Sequence, residues 1–183
     1  MIRREGVNLN WHDTVFELID MRSFSNLWYW IALAVTWSSA SHWVLGVPWD
    51  MAIRARKGRS TQAVTDFEDM VRINTNRLLY VMGESGLLVA GLTGFFMTVL
   101  VLMGFVYDNE FAQALFLLGF PLLLVGGLSV RMAQRIVAQG FTGADLVKRL
   151  QMHRLIIQVI GMASIFVTAM WGMYQNMNAN ILG

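Results

Sequence analysis

SGLLVAGLTGFFMTVLVLMGFVY (Ser85–Tyr107) and FAQALFLLGFPLLLVGGLSV (Phe111–Val130), parted only by Asp108-Asn109-Glu110, decide the fold class. Neither run holds an Asp, Glu, Lys or Arg, and they are 23 and 20 residues long. A hydrocarbon core takes about 20 predominantly apolar residues of helix. Two further charge-free runs flank them, Ser23–Trp49 and Leu155–Gly183, of 27 and 29 residues. A lipid-facing strand would alternate apolar and polar residues. Leu122-Leu123-Leu124-Val125 and Val99-Leu100-Val101-Leu102 do not alternate. A helix satisfies its own backbone hydrogen bonds, which hydrocarbon cannot do for it. The runs therefore predict an all-α integral membrane protein with four transmembrane helices. The expected spans are residues 25–47, 85–107, 111–130 and 155–175.

Composition agrees. The 183 residues are 56% hydrophobic and 14% charged, with mean hydropathy +0.50. An ordinary soluble domain carries about 25% charge. Ser23–Trp49 is too long for a secretory h-region of about 7–15 residues, so it is expected to stay as the first span. There is no cysteine, which excludes thiolate catalysis, disulfides and cysteine-ligated iron–sulfur clusters within this chain.

The charges orient the spans. Eleven of the fourteen Lys/Arg fall in Arg54–Arg77 and Arg131–Arg154, the remainder being Arg3, Arg4 and Arg22. The turn Asp108-Asn109-Glu110 and the C-terminal tail have none. By the positive-inside rule both basic loops are cytoplasmic, and both termini lie outside. Because the basic residues flank apolar runs, topology accounts for the net charge of +2, and nucleic acid is not an expected partner. The partners expected are membrane lipids and either further copies of the chain or a larger membrane complex. Trp28, Trp30, Trp43, Trp49, Tyr107 and Trp171 sit at the expected membrane edges, as an aromatic belt should. Trp37 alone lies near mid-span.

Residues 1–23 form an N-terminal segment of their own. Trp11, Val15, Leu18 and Ile19 recur at helical spacing between Asp13, Glu17 and Asp20, which predicts an amphipathic surface helix. Pro48 is expected to stop the first span, leaving Met51–Ser60 as a basic surface segment. From near Gln62 one helix is expected to run to Tyr107, about 45 residues and near 68 Å long. Glu68 and Arg72 have the spacing of an i, i+4 pair on it. The third span is expected to continue to Gln139, where Gly140 ends it. Thr142 is the expected N-cap of the last helix, with Asp145 three residues on. Two long hairpins with cytoplasmic helical extensions result.

Four groups of residues invite a functional reading. His42 and His153, on one side of the membrane, are the residue type that ligates a b-type haem or a metal; the preferred reading needs no ligand, with His42 hydrogen-bonding a neighbouring helix or interfacial water and His153, in a charged stretch, lying at the interface. Glu84 opens the second span, where an acid is functional if it lies in hydrocarbon and cheap if it lies at the edge. With Ser38, Ser41 and His42 it makes a possible polar site. Gly86, Ala90, Gly94 and Thr98 on the second span, and Ser164, Thr168 and Gly172 on the fourth, recur every four residues, as do Ala32, Thr36 and Ala40 on the first. Such stripes allow helix backbones to approach closely. Pro121 predicts a kink. No phosphate loop, dinucleotide fingerprint or HExxH occurs. No catalytic residues, resident cofactor or metal are expected.

Phe16-Glu17-Leu18-Ile19-Asp20-Met21-Arg22-Ser23, with Ser41-His42-Trp43-Val44-Leu45-Gly46-Val47-Pro48, resembles a group of alphaproteobacterial membrane proteins, some labelled as a component of the Suf (SufBCD) iron–sulfur assembly complex. The resemblance implies a bacterial inner membrane and carries no catalytic residue over. The function expected is a non-enzymatic accessory, scaffold or assembly subunit that associates with itself. A small homo-oligomeric channel, lined by the polar face of the first span (Thr36, Ser38, Ser39, Ser41, His42) or by the Thr93/Thr98 face, is the first alternative. A haem- or quinone-binding anchor using His42 and His153 is the second.

Overall fold

The structure, a computed structural model, describes Phe24, residues 26–58 and residues 60–181. The amphipathic helix expected over residues 1–23 lies outside the described residues.

The chain is helical almost throughout. α1 spans Leu27–His42, and the Asn26 side chain caps it by accepting from the Trp28 amide at 3.0 Å. It does not continue to Pro48 as the apolar run suggested. A two-stranded hairpin replaces its last turn, with β1 (Trp43–Val44) antiparallel to β2 (Val47–Pro48). Leu45 and Gly46, at φ +52° and +72°, make the two-residue turn, the handedness that matches the twist of paired strands. Val44 and Val47 are buried in return. The first helix is thus 16 residues, about 24 Å long.

Pro48 stands at the N-cap of α2 (Trp49–Arg56), where its missing N–H costs nothing. The basic segment expected here is therefore an ordered helix, with an Asp50–Arg54 ion pair at 3.1 Å. α3 covers Thr61–Val101 and passes into a π-helical turn, Leu102–Val106, as one 46-residue stretch. This matches the long helix expected from Gln62 to Tyr107. The expected Glu68–Arg72 pair does not form. Arg72 pairs with Asp69 at 2.9 Å, and the Glu68 carboxylate accepts the Gly143 amide instead.

α4 runs Glu110–Gln139, capped by Asn109, whose side chain accepts from the Ala112 amide at 3.0 Å. It ends as expected at Gly140, at φ +61°. α5 runs Gly143–Ile181; Thr142 stands at the expected N-cap position, its carbonyl accepting from the Leu146 amide at 3.4 Å, while the first amide of the helix is held by Glu68, reaching across from α3. Thr61–Val106, Glu110–Gln139 and Gly143–Met177 are long and apolar enough to cross a membrane.

Two cores hold these elements. At the basic end, Val44, Val47 and Ala52 meet Phe67 and Val71 of α3, Ile136 of α4 and Leu150 of α5. The basic extensions are thus a packed unit and not free helix ends. Farther along, Leu33 and Trp37 of α1 pack with Val125 and Ile157. α1 is pinned at both ends. The Phe24 amide just before it donates to Glu110 at 2.8 Å, beside the acidic turn, and the Ser41 carbonyl accepts from Arg154 Nε at 2.9 Å, at the basic end. α1 therefore runs from beside the acidic turn to the basic end of the bundle.

Candidate functional site

The polar patch read from the sequence does not assemble into one site. Ser41 donates to the Ser38 carbonyl at 3.0 Å, a bond within α1. His42 is exposed, its ring edge-on to Trp43 at 5.9 Å. Glu84 is exposed on α3, and among the described residues no hydrogen bond or ion pair joins it to His42 or Arg154. The residue that organises the end of α1 is Arg154. It caps the Ser41 carbonyl, and its guanidinium lies 4.7 Å over the Trp49 ring. A cation is favoured both at a helix C-terminus and over an indole face.

His153 lies on α5 two residues before the charge-free run, and it is buried at 4% exposure. Its Nε2 is 3.1 Å from Ser129 Oγ on α4, and Ser129 donates its own proton to the Val125 carbonyl at 2.8 Å. A hydroxyl has one proton to give, so Nε2 must carry the hydrogen and donate to Ser129. Burial pushes the imidazole below its ordinary value, because the charged form loses its hydration. The two histidines thus have separate surroundings, one exposed beside Trp43 and one bonded to Ser129. Among the described residues no group of three or more His, Asp or Glu is disposed to hold a metal ion.

Two polar clefts open along α3 at the basic end. One, of about 400 Å³, is lined by Glu68, Arg72, Thr75, Asn76, Phe141 and Thr142 among others. Thr75 is 1% exposed, and among the described residues its hydroxyl has no partner. The other, of about 390 Å³, lies between the β1–β2 hairpin, α3 and Ser129. Its walls are Trp43, Leu45, Gly46, Asn74, Arg77, Leu78 and Val81, with one cation and no acid. A third cavity, of about 340 Å³ and almost wholly apolar, lies where Pro121 of α4 faces Ala163 of α5.

At the other end of the bundle, Gln113 is a junction that sequence reasoning did not single out. It is 1% exposed. Its Nε2 donates to the Gly104 carbonyl at 2.8 Å, and its Oε1 accepts from Trp171 Nε1 at 2.9 Å and Gln175 Nε2 at 2.6 Å. The π turn brings Gly104 so close that a Cβ there would lie 2.9 Å from the Gln113 amide nitrogen. A lone Gln in the paired runs Ser85–Tyr107 and Phe111–Val130, which hold no other amide, was the available signal.

The small-residue stripes divide. Ser164, Thr168 and Gly172 of α5 are buried, and a Cβ on Gly172 would meet Phe24 at 3.1 Å. Gly161 continues that stripe and lies against the Trp37 ring, 2.7 Å from where its Cβ would be. On α3, Ala90, Gly94 and Thr98 are exposed and Gly86 is half-buried. Gly94 has nothing within 4 Å of its Cβ position, and Thr98 donates back to the Gly94 carbonyl at 2.9 Å. This second stripe has no partner helix within the described chain. No family model, curated protein or solved structure matches the chain.

Proposed function

We propose that the chain is a non-enzymatic integral membrane subunit of the accessory, scaffold or assembly kind, which associates with copies of itself through α3. It crosses the bilayer four times, with its basic end in the cytoplasm and both termini outside. The observation that carries this reading is the nakedness of α3. Of its most apolar 18 residues none is buried by the described residues, against 22% in α4 and 28% in α5. That bare segment also carries Gly86, Ala90, Gly94 and Thr98 at four-residue spacing. Lipid supplies no hydrophobic drive between helices, so close backbone approach over small residues is what brings them together. The four-crossing topology is supported by the anchoring of α1 at Glu110 and Arg154, together with the eleven Lys/Arg gathered at one end.

Purification in mild detergent, with the mass of the protein–detergent complex measured by light scattering, tests the proposal. The expected result is an oligomer that a Gly94→Leu, Ala90→Leu double variant shifts toward monomer. A wild-type chain that is strictly monomeric and brings no other subunit with it rejects the proposal.

A further inference from the structure

The cleft beside Arg77 has the chemistry of a binding site for one particular class of ligand, and we propose that it holds the headgroup of an anionic phospholipid. The inference rests on the membrane reading above but not on self-association.

The polar half of the cleft is built to meet one negative charge. Arg77 is exposed, and among the described residues it makes no hydrogen bond or ion pair, whereas Arg54, Arg72 and Arg154 are all engaged. Beside it, Asn74 Nδ2 donates to the Gly46 carbonyl at 3.1 Å. The positive-φ turn at Leu45 and Gly46 presents that carbonyl, and a Cβ on Gly46 would come within 3.4 Å of Asn74 Cγ. The hairpin thus fixes the Asn74 amide and leaves its second hydrogen for a ligand. Ser129 contributes no donor, because its proton goes to Val125 and its oxygen accepts from His153. One guanidinium and one amide suit a singly charged phosphodiester. With no acid among the lining residues, no carboxylate there would pair with the ammonium of a zwitterionic headgroup.

The apolar half argues for a lipid over a soluble phosphate. Leu45, Leu78 and Val81 line the same cleft. Val81 opens onto the exposed apolar face of α3, where Leu88 is 64% exposed, so a ligand's chains would run from the cleft along that face. The height is also right. Trp43 is the first residue after α1, and Ser129 stands two residues before Arg131, the first charge after the apolar run of α4. Trp43 is 54% exposed, as an indole at headgroup level is. Basic pockets between helices at the cytoplasmic face are where anionic headgroups bind.

The test uses the full chain in mild detergent, titrated separately with phosphatidylglycerol, phosphatidylcholine and inorganic phosphate, with adducts resolved by native mass spectrometry. One tightly held phosphatidylglycerol is expected, with phosphatidylcholine about tenfold weaker. Arg77→Gln should lose about tenfold in phosphatidylglycerol affinity, and Arg131→Gln, exposed and off the cleft, should lose none. Equal affinity for phosphatidylcholine, full displacement by inorganic phosphate, or an unchanged Arg77→Gln each overturns the proposal. Fractionation separates the two failures. If wild type and Arg77→Gln both stay in membranes washed with alkaline carbonate, any such result counts against the lipid site alone. If the wild type is washed out, the membrane reading falls and the lipid site with it.

Discussion

A proton on His153 would have to be carried into a pocket that withholds water from it. The imidazole is buried, its Nε2–H is committed to Ser129, and its proton affinity is lowered by that burial. A histidine whose folded-state value lies below its unfolded value of about 6.5 favours the fold while neutral. Its contribution is therefore complete above that value and is lost as the pH falls toward the folded-state value. Melting in detergent between about pH 8 and pH 5 should show Tm falling with acidification. His153→Gln, which keeps a donor for Ser129 but cannot titrate, should flatten the slope. An unaltered slope in His153→Gln would place the titration elsewhere. Both histidines stood out in the sequence, but their surroundings were legible only for one. Leu146, Leu150 and Ile157 lie at helical spacing around His153 and are buried with it, so its face was written in the pattern. His42 sits among Ser38, Ser39 and Ser41, whose small polar side chains specify no face. Its exposure depends on where α1 stops.

Element length was the most readable feature and element packing the least. α3, α4 and α5 match the sequence-based helices because uninterrupted apolar runs, bounded by Asn109 and Gly140, leave no competing structure. The stop of α1 was missed because Leu45 takes a positive φ that its residue type does not announce. The hairpin is favoured by Val44 and Val47 reaching a core built from distant residues. The small-residue stripes show a different limit. Those on α3 and α5 have the same spacing, yet one is bare and the other is packed under α1. Spacing records that a backbone can be approached but not by what. On α5 the approach is tight at Gly161, where the Trp37 ring occupies the place of a side chain. Gly161→Ala should therefore destabilise the bundle by about 1–3 kcal/mol, read as a lowered Tm in detergent. Gly126→Ala on α4, where the added methyl meets nothing within 4 Å, should be neutral or slightly stabilising. Equal effects at the two positions would mean that α1 does not rest on α5 as described.

At the scale of the whole molecule, the shortness of α1 poses the sharpest question. Sixteen residues give about 24 Å, less than the roughly 30 Å of a hydrocarbon core. Taken alone, that length would suit a helix lying in the interface. The bonds at its two ends argue otherwise, since Glu110 belongs to the acidic turn and Arg154 to the basic end. In the proposed four-crossing topology Trp28 and Trp43, both largely exposed and close to its two ends, would hold such a short helix upright as interfacial anchors, with the bilayer thinned around it. The absence of cysteine makes this directly measurable. Single substitutions at Leu27, Lys57 and Tyr107, all exposed, give three reporters for a membrane-impermeant maleimide applied to intact cells. The four-crossing topology expects Leu27→Cys and Tyr107→Cys to be labelled from outside, and Lys57→Cys only after permeabilisation. If α1 instead lay along the cytoplasmic surface, Leu27→Cys would behave as Lys57→Cys does. That result would overturn the four-crossing topology.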